Sequence, residues 1–282
     1  MLAVLSARDR ADYGVADSTL EDVLEEWRAP GFDREHDAVV HAGEDGTIDG
    51  YAAVERRGTL VAVAPDRERR GIGSELLDWV RHRRSERGWR EDRQGVGERN
   101  ERAAALLRAA GYERVRSYWR MVLALEVSPA PVVPVDGIEL RPLRPAEDAE
   151  PVYALDLAAF TGAPDYVPET LEEFRSANLH SHDLDPALSA VALRGERFAG
   201  FLLARRWEQE SAGYVAILAV HPEEQGRGIG RALLTRAFAA FREAGLAEAQ
   251  LGVASDNSGA LRLYEGLGMR PRFRRDLYEL AG

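Results

Sequence analysis

The sequence predicts a mixed α/β protein made of two tandem copies of one fold, and three observations predict it. A β-prone run from Val215 to Val220 ends at His221-Pro222 and passes through a loop with Gly226, Gly228 and Gly230 at alternate positions. It then enters a segment whose apolar residues Ile229, Leu233, Leu234, Ala237, Phe238 and Phe241 recur at helical spacing. The same pattern lies 157 positions earlier without a gap. That offset places Pro65 on Pro222, Gly71-Ile72-Gly73 on Gly228-Ile229-Gly230, Leu76-Leu77 on Leu233-Leu234, Gly88 on Gly245, Asn100 on Asn257, Ala103 on Ala260, Leu106 on Leu263 and Gly111 on Gly268. Finally, short strands that first pair as hairpins and later alternate with helices point to a mixed sheet.

In chain order, the apolar opening Met1 to Leu5 runs into Ala7-Arg8-Asp9-Arg10, and the segment around Leu20 to Trp27 reads as a helix. No strand precedes them, so the first copy is expected to be degenerate and to lack its first strand. Gly50 to Val54 and Leu60 to Val63 read as strands joined by Glu55 to Thr59. Ile72 to Arg83 is the helix after the loop, and Tyr118 to Leu125 closes the copy. Val127 to Asp136 holds three prolines, which disfavour helix and ladder pairing alike. Residues 127–136 are therefore expected as an extended linker between an N-terminal domain, 1–126, and a C-terminal domain, 137–282.

The second copy opens with the alternating strand Ile138 to Leu143 and a helix start at Pro145-Ala146-Glu147-Asp148. Helices are expected near Ala149 to Phe160 and Leu171 to Asn178. Leu188 to Leu193 and Phe198 to Arg205 make a hairpin about Arg194-Gly195-Glu196-Arg197. Strands at Gln250 to Ala254 and Met269 to Leu280 flank a short helix from Ala260 to Gly266.

Composition narrows the function. The 282 residues include no cysteine, which rules out disulfides, thiolate zinc sites and thiol nucleophiles. No apolar run approaches the roughly 18 residues of a membrane span, and the N-terminus lacks the regions of a signal peptide. A cytoplasmic protein without a membrane partner is expected. The net charge of −11 argues against a nucleic-acid partner, and it is compatible with a cationic amine substrate or with solubility alone. The basic run Arg81-His82-Arg83-Arg84, with Arg87 and Arg90, is expected as the solvated face of a helix. His180-Ser181-His182-Asp183 has metal-ligand residue types but no supporting cluster elsewhere, so no metal is expected.

The glycines of the loop remove Cβ atoms that would hold a ligand off the main chain, and amides at a helix N-terminus suit a phosphate. The dinucleotide fingerprint is excluded because Arg231 stands where it needs glycine, and the Walker loop because no Gly-Lys-Ser/Thr follows. Gln225-Gly226-Arg227-Gly228-Ile229-Gly230 instead resembles the Q/R-x-x-G-x-G/A signature of the GNAT superfamily of N-acetyltransferases. Asn257-Ser258-Gly259-Ala260-Leu261-Arg262-Leu263-Tyr264, followed by Gly268-Met269, resembles the family's N-x-x-A-x-x-L/F-Y-x-x-x-G-F signature. The likeness covers essentially the whole second copy and most of the first.

The resemblance implies acetyl-CoA as co-substrate, with its pyrophosphate on Gln225, Gly226, Arg227, Gly228, Ile229, Gly230 and Arg231. It implies further contacts from Leu218, Ala219, Val220, Asn257, Ala260, Leu263 and Tyr264. Tyr264 is the expected proton donor to the leaving thiolate. The first copy departs from both signatures, with Glu68, Arg69 and Leu107 where the second has Gln225, Gly226 and Tyr264. It is expected to be catalytically dead, whether it holds acetyl-CoA weakly through Arg70, Gly71 and Gly73 or serves only structurally.

No carboxylate or histidine lies between Tyr214 and Val220, where many family members carry a glutamate, so the general base stays open between His221, whose His-Pro setting reads more readily as turn chemistry, nearby acids and ordered water. Asp165, Glu169, Glu172 and Glu173 can receive an ammonium group or simply favour a helix N-terminus. The expected reaction is direct acetyl transfer to a primary amine of a small molecule. The alternatives are a protein or peptide N-acetyltransferase, an antibiotic-modifying enzyme and a non-catalytic acyl-CoA-binding sensor.

Overall fold

A computed structural model describes residues 1–16, 18–56, 58–126, 131–164 and 166–280. It divides into two compact units, Met1–Trp119 with Ala254–Asp256 and Phe273–Gly282, and Arg120–Val253 with Asn257–Arg272. Among the described residues, no helix is long and apolar enough to cross a membrane. Val127 to Ala130 of the expected linker, and Asp165, lie outside the described residues.

In the first unit, α1 (Leu2–Tyr13) and α2 (Leu20–Glu26) precede β1 (Ala38–Ala42), β2 (Ile48–Glu55) and β3 (Gly58–Val63). The apolar opening is thus the helix α1. The three strands form an antiparallel sheet in the order β1-β2-β3. Alternation along β2 sends Tyr51 and Ala53 to a core with Val4, Leu5 and Val23. Ala52 and Val54 go to the opposite core, with Ile72, Leu76 and Val80 of α3 (Ile72–Glu86). The unit continues with β4 (Asp92–Gly97), α4 (Glu101–Ala109) and the first half of β5 (Glu113–Ala124).

The basic run departs in part from the expected solvated face: His82 and Arg90 are exposed, while its other guanidinium groups are engaged. Arg83 and Arg87 both engage the fully buried Asp37, at 2.7 and 3.1 Å. Arg84 is itself buried and donates to the carbonyls of Glu55, at 2.6 Å, and Glu91. Arg81 donates to the Ala110 carbonyl. These guanidinium groups tie α3 to its own sheet, because a buried carboxylate or carbonyl left unpaired would cost more than the pairing.

The second unit runs β6 (Glu139–Pro142), α5 (Pro145–Phe160), α6 (Leu171–Phe174) with a π-type turn Arg175–Leu179, β7 (Ala190–Arg194), β8 (Arg197–Trp207), β9 (Ala212–Val220), α7 (Ile229–Glu243), β10 (Glu248–Ala254), α8 (Ser258–Glu265) and the start of β11 (Arg270–Leu280). Strands β6 to β9 are successive antiparallel neighbours, and β10 is parallel to β9. α5 and α6 cover one face through Val152, Leu155 and Phe174.

The other face carries α7, whose predicted apolar stripe, Ile229 to Phe241, is buried throughout. Two strand glycines seat this helix. A Cβ on Gly200 would come within 3.1 Å of Ile229 and 3.2 Å of Leu233, and one on Gly213 within 2.4 Å of the Phe241 ring. The first copy repeats the seat, since a Cβ on Gly50 would meet Leu76 at 2.8 Å and Ile72 at 2.9 Å. The repeat therefore reaches into the packing.

Candidate active site

The site begins where two parallel strands part. β10 pairs with β9 from Glu248↔Ala212 to Leu251↔Val215 and no further among the described residues. On the other side of β9 the β8 register shifts between Leu203↔Ile217 and Ala204↔Val215, so Ala216 is a bulge residue. A wedge opens beyond this point, between Ala216–Val220 and Gly252 and Val253.

The glycine loop stands at the mouth of the wedge. Gly226 and Gly228 have φ of 75° and 85°, a left-handed conformation that turns successive amides to one side. Gly228 is the N-cap of α7 and supplies no side-chain cap. The leading amides of a 15-residue helix are thus left to a ligand. The Gln225 side chain donates to the Val220 carbonyl at 3.3 Å, which ties the loop to the end of β9.

Beside it, Arg194, Arg227, Gly228 and Arg231 line a cavity of about 480 Å³, closed on one side by Val133 to Asp136. The buried Glu224 takes two bonds of 3.0 Å from Arg194 and one of 3.2 Å from Arg227. The Arg194 hydrogen bonds hold its carboxyl below the usual range. Three guanidinium groups, of Arg194, Arg227 and Arg231, against the two carboxylates of Glu224 and Asp136 leave the cavity suited to an anion.

A Cβ on Gly230 would touch Leu263 at 3.6 Å, Val220 at 3.7 Å and Leu218 at 4.0 Å, so these residues meet at one point. Ala219 alternates to the other face and packs in the α5 core, so its side chain is not part of that contact. Asn257 caps α8 by accepting the Ala260 amide at 3.1 Å, as Asn100 caps α4 by accepting that of Ala103 at 3.0 Å. Tyr264 of α8 is buried, and its hydroxyl has no hydrogen-bond partner among the described residues. Burial, with the Tyr214 phenol adding, pushes it up to about 12. It keeps its proton at neutral pH.

Other sequence candidates are committed elsewhere. The His221 ring accepts the Glu223 amide at 3.3 Å, capping a turn. Thr170 and Glu173 form a capping box for α6, with bonds of 2.7 and 3.2 Å. Asp183 receives Ser181 Oγ at 2.6 Å and Trp207 Nε1 at 3.1 Å. The residues that the sequence did not single out are Tyr214, Trp207 and Arg120. A tyrosine on a strand reads as an ordinary β residue until the neighbouring register is known.

The first copy keeps the backbone of this loop and fills it with side chains. Arg69 and Gly71 have φ of 63° and 85°. The Glu68 carboxylate is gripped by Arg8 at 2.6 Å and by Arg102. Arg8 also holds Asp12 at 2.6 Å, and Asp12 accepts from Asn100 at 3.2 Å. Burial alone would raise the Glu68 pKa, but the hydrogen bonds from Arg102 and Arg8 outweigh it and lower it. A Cβ on Gly97 would strike Asp12 and Tyr13 at 2.8 Å, so α1 occupies the end of β4. β2 and β3 pair without a register shift, and Leu107 is buried where the second copy has Tyr264.

This arrangement, found twice in one chain, defines a tandem acyltransferase of GNAT type. Residues 150–269 match the Acetyltransferase (GNAT) family, and residues 35–114 match an Acetyltransferase (GNAT) domain. The chain belongs to the GNAT acetyltransferase family, with two GNAT domains in tandem, and is an N-acetyltransferase. It is 33% identical over 246 residues to the mycothiol acetyltransferase of Actinosynnema mirum, covering 84% of this chain and 81% of that one. To the mycothiol acetyltransferase of Thermomonospora curvata it is 35% identical, covering 80% of this chain and 76% of that one. Among solved structures it is similar to a GCN5-related N-acetyltransferase from Sphaerobacter thermophilus, with a TM-score of 0.80 and 26% identity over 99% of this chain and 91% of that one. A tandem GNAT protein from the clavulanic acid biosynthesis pathway shares the fold, with a TM-score of 0.75 and 18% identity over 99% of this chain and 93% of that one.

Proposed function

We propose that the C-terminal copy transfers the acetyl group of acetyl-CoA to a primary amine of a small molecule, and that the N-terminal copy is a structural half. The observation that carries this is the uncapped start of α7, packed at Gly230 against Leu263 of α8, the helix that also bears the buried Tyr264. The amides of Gly226 to Arg231, with the guanidinium groups of Arg227 and Arg231, suit a diphosphate. Leu218, Val220 and Leu263 line the entry, and Asn257 fixes the helix that presents Tyr264.

In transfer, a neutral amine attacks the thioester carbon and Tyr264 protonates the departing sulfur. The absence of cysteine favours this direct route over an acyl-enzyme. The mycothiol acetyltransferase name of the relatives favours a small-molecule acceptor over a peptide. Glu173 is spent on a helix cap and offers no support for a cationic one.

Thiol release from acetyl-CoA across a panel of small amines and N-terminal peptides, with calorimetry of acetyl-CoA alone, tests the proposal. Turnover on small amines supports it. Tight binding without turnover on any acceptor replaces it with an acyl-CoA sensor, and no binding removes both readings.

A further inference from the structure

A second phenol, that of Tyr214, stands where β9 and β10 part. Tyr214 pairs with Arg205 in the β8–β9 ladder, so with Arg205 and Trp207 it shares the face covered by α5 and α6, while α7 lies on the opposite face. Its ring is clamped. Trp207 stacks on it with centroids 4.1 Å apart and 10° between planes, and the Arg120 guanidinium carbon lies 4.9 Å from the Tyr214 centroid and 4.8 Å from that of Trp207. Trp207 is held in turn through Asp183, and Arg120 donates to the buried Gln250 at 3.3 Å.

The hydroxyl at the end of this rigid ring reaches β10 just past the last ladder pair. A Cβ on the exposed Gly252 would come within 3.3 Å of it. Among the described residues the hydroxyl has no hydrogen-bond partner. Strand β9 carries no carboxylate or imidazole from Ala212 to Val220 that would do its work instead. A fixed ring with an idle hydroxyl, placed where two strands separate and opposite a missing side chain, is a preorganised contact for something that enters there.

We propose that Tyr214 is the acceptor-side residue of the reaction, its hydroxyl accepting a hydrogen bond from an N–H of the incoming amine and turning the nitrogen lone pair toward the thioester carbon. This rests on the acetyl-transfer reading above. In the step the C–N bond forms and the C–S bond breaks. The sulfur takes the Tyr264 proton, the nitrogen releases its proton to solvent water, and water reprotonates Tyr264. Tyr214 keeps its own proton throughout, so it acts by orientation.

Two substitutions test this together. Tyr214→Phe keeps the ring and its stack, and near-ultraviolet circular dichroism checks that the Trp207 environment persists. Its kcat/KM for the amine is expected to fall at least about tenfold, with the acetyl-CoA Kd within about twofold of wild type. Gly252→Ala in the wild-type background crowds the hydroxyl and lowers the same parameter. In the Tyr214→Phe background, where the hydroxyl is gone, it has no further effect. Tyr214→Phe with unaltered amine kcat/KM overturns the proposal, as does an equal loss from Gly252→Ala in both backgrounds. A wild-type protein that binds acetyl-CoA and turns over no amine removes the transfer reading first, and this inference with it.

Discussion

Gly230→Ala is expected to stabilise the fold and to leave acetyl-CoA binding nearly unchanged. The added methyl would lie 3.6 Å from Leu263, 3.7 Å from Val220 and 4.0 Å from Leu218, which are ordinary contact distances. Gly230 is the second residue of α7 and is not among the positive-φ glycines, so alanine fits its backbone. Removing glycine's freedom in the unfolded chain stabilises by roughly 0.5–1 kcal/mol, which raises Tm by about 1–4 °C for a protein of this size. The same methyl points to that apolar contact, and the Q/R-x-x-G-x-G/A signature that the loop resembles admits alanine at this position, so the acetyl-CoA Kd is expected to stay within about twofold of wild type. Scanning fluorimetry reads the first effect and isothermal titration calorimetry the second. A lowered Tm would refute the packing around Gly230, and acetyl-CoA binding weakened about tenfold or more would refute the direction assigned to the methyl.

Tyr264→Phe is expected to lower kcat by about 10²- to 10⁴-fold with acetyl-CoA affinity intact; steady-state kinetics that match wild type would leave the phenol a packing group. Calorimetric titration with acetyl-CoA should saturate at one equivalent per chain, because Glu68 and α1 occupy the first copy's loop, and a second equivalent would show that they give way. Burial, with the Glu55 carboxyl adding, raises Glu26 from 4.5 to about 8. Its contribution to stability is therefore full below about pH 4.5 and lost as pH rises through about 8. Glu26→Gln, which mimics the protonated form, should melt above wild type at pH 9 and close to it at pH 5; the same gap at both pH values counts against the raised pKa.

The parts of this molecule that the sequence reveals are those written in local spacing. Alternate glycines followed by apolar residues at helical intervals place α7 and its uncapped start, and the asparagine three residues before an alanine marks the α8 cap. What stays hidden depends on partners distant along the chain. Glu68 looks like a mere mismatch in a phosphate signature until Arg8, 60 residues away, is seen to hold it. Arg83 reads as solvated because Asp37, its partner, lies 46 residues away. β1 escapes notice because its five residues are mostly half-buried, without the clean alternation that marks a strand. Tyr214 needs the register of three strands, since its meaning comes from the bulge at Ala216 and the parting of β10.

On the proposed reading, the two copies contrast a phosphate loop left open with one closed by its own side chains. A left-handed loop opening into a helix gathers amide dipoles whose positive end calls for an anion. In the second copy no side-chain cap meets that demand, which the proposed function assigns to a ligand, and Gly226 adopts its φ of 75° without a Cβ. The first copy keeps the conformation with Arg69 at φ 63°, which costs about 1–2 kcal/mol for a residue bearing a Cβ. It supplies its own anion in Glu68, and the cations that follow the carboxylate, Arg8 and Arg102, come from the helices that flank the loop. A carboxylate that would repel a diphosphate in an open site becomes the group that makes the closed one stable. Conversion of glutamine to glutamate at this position is therefore compatible with the fold only where arginines reach it. The second copy has Gly259 at the position of Arg102, so the same exchange at Gln225 would leave a negative charge over the leading amides of α7 without that partner.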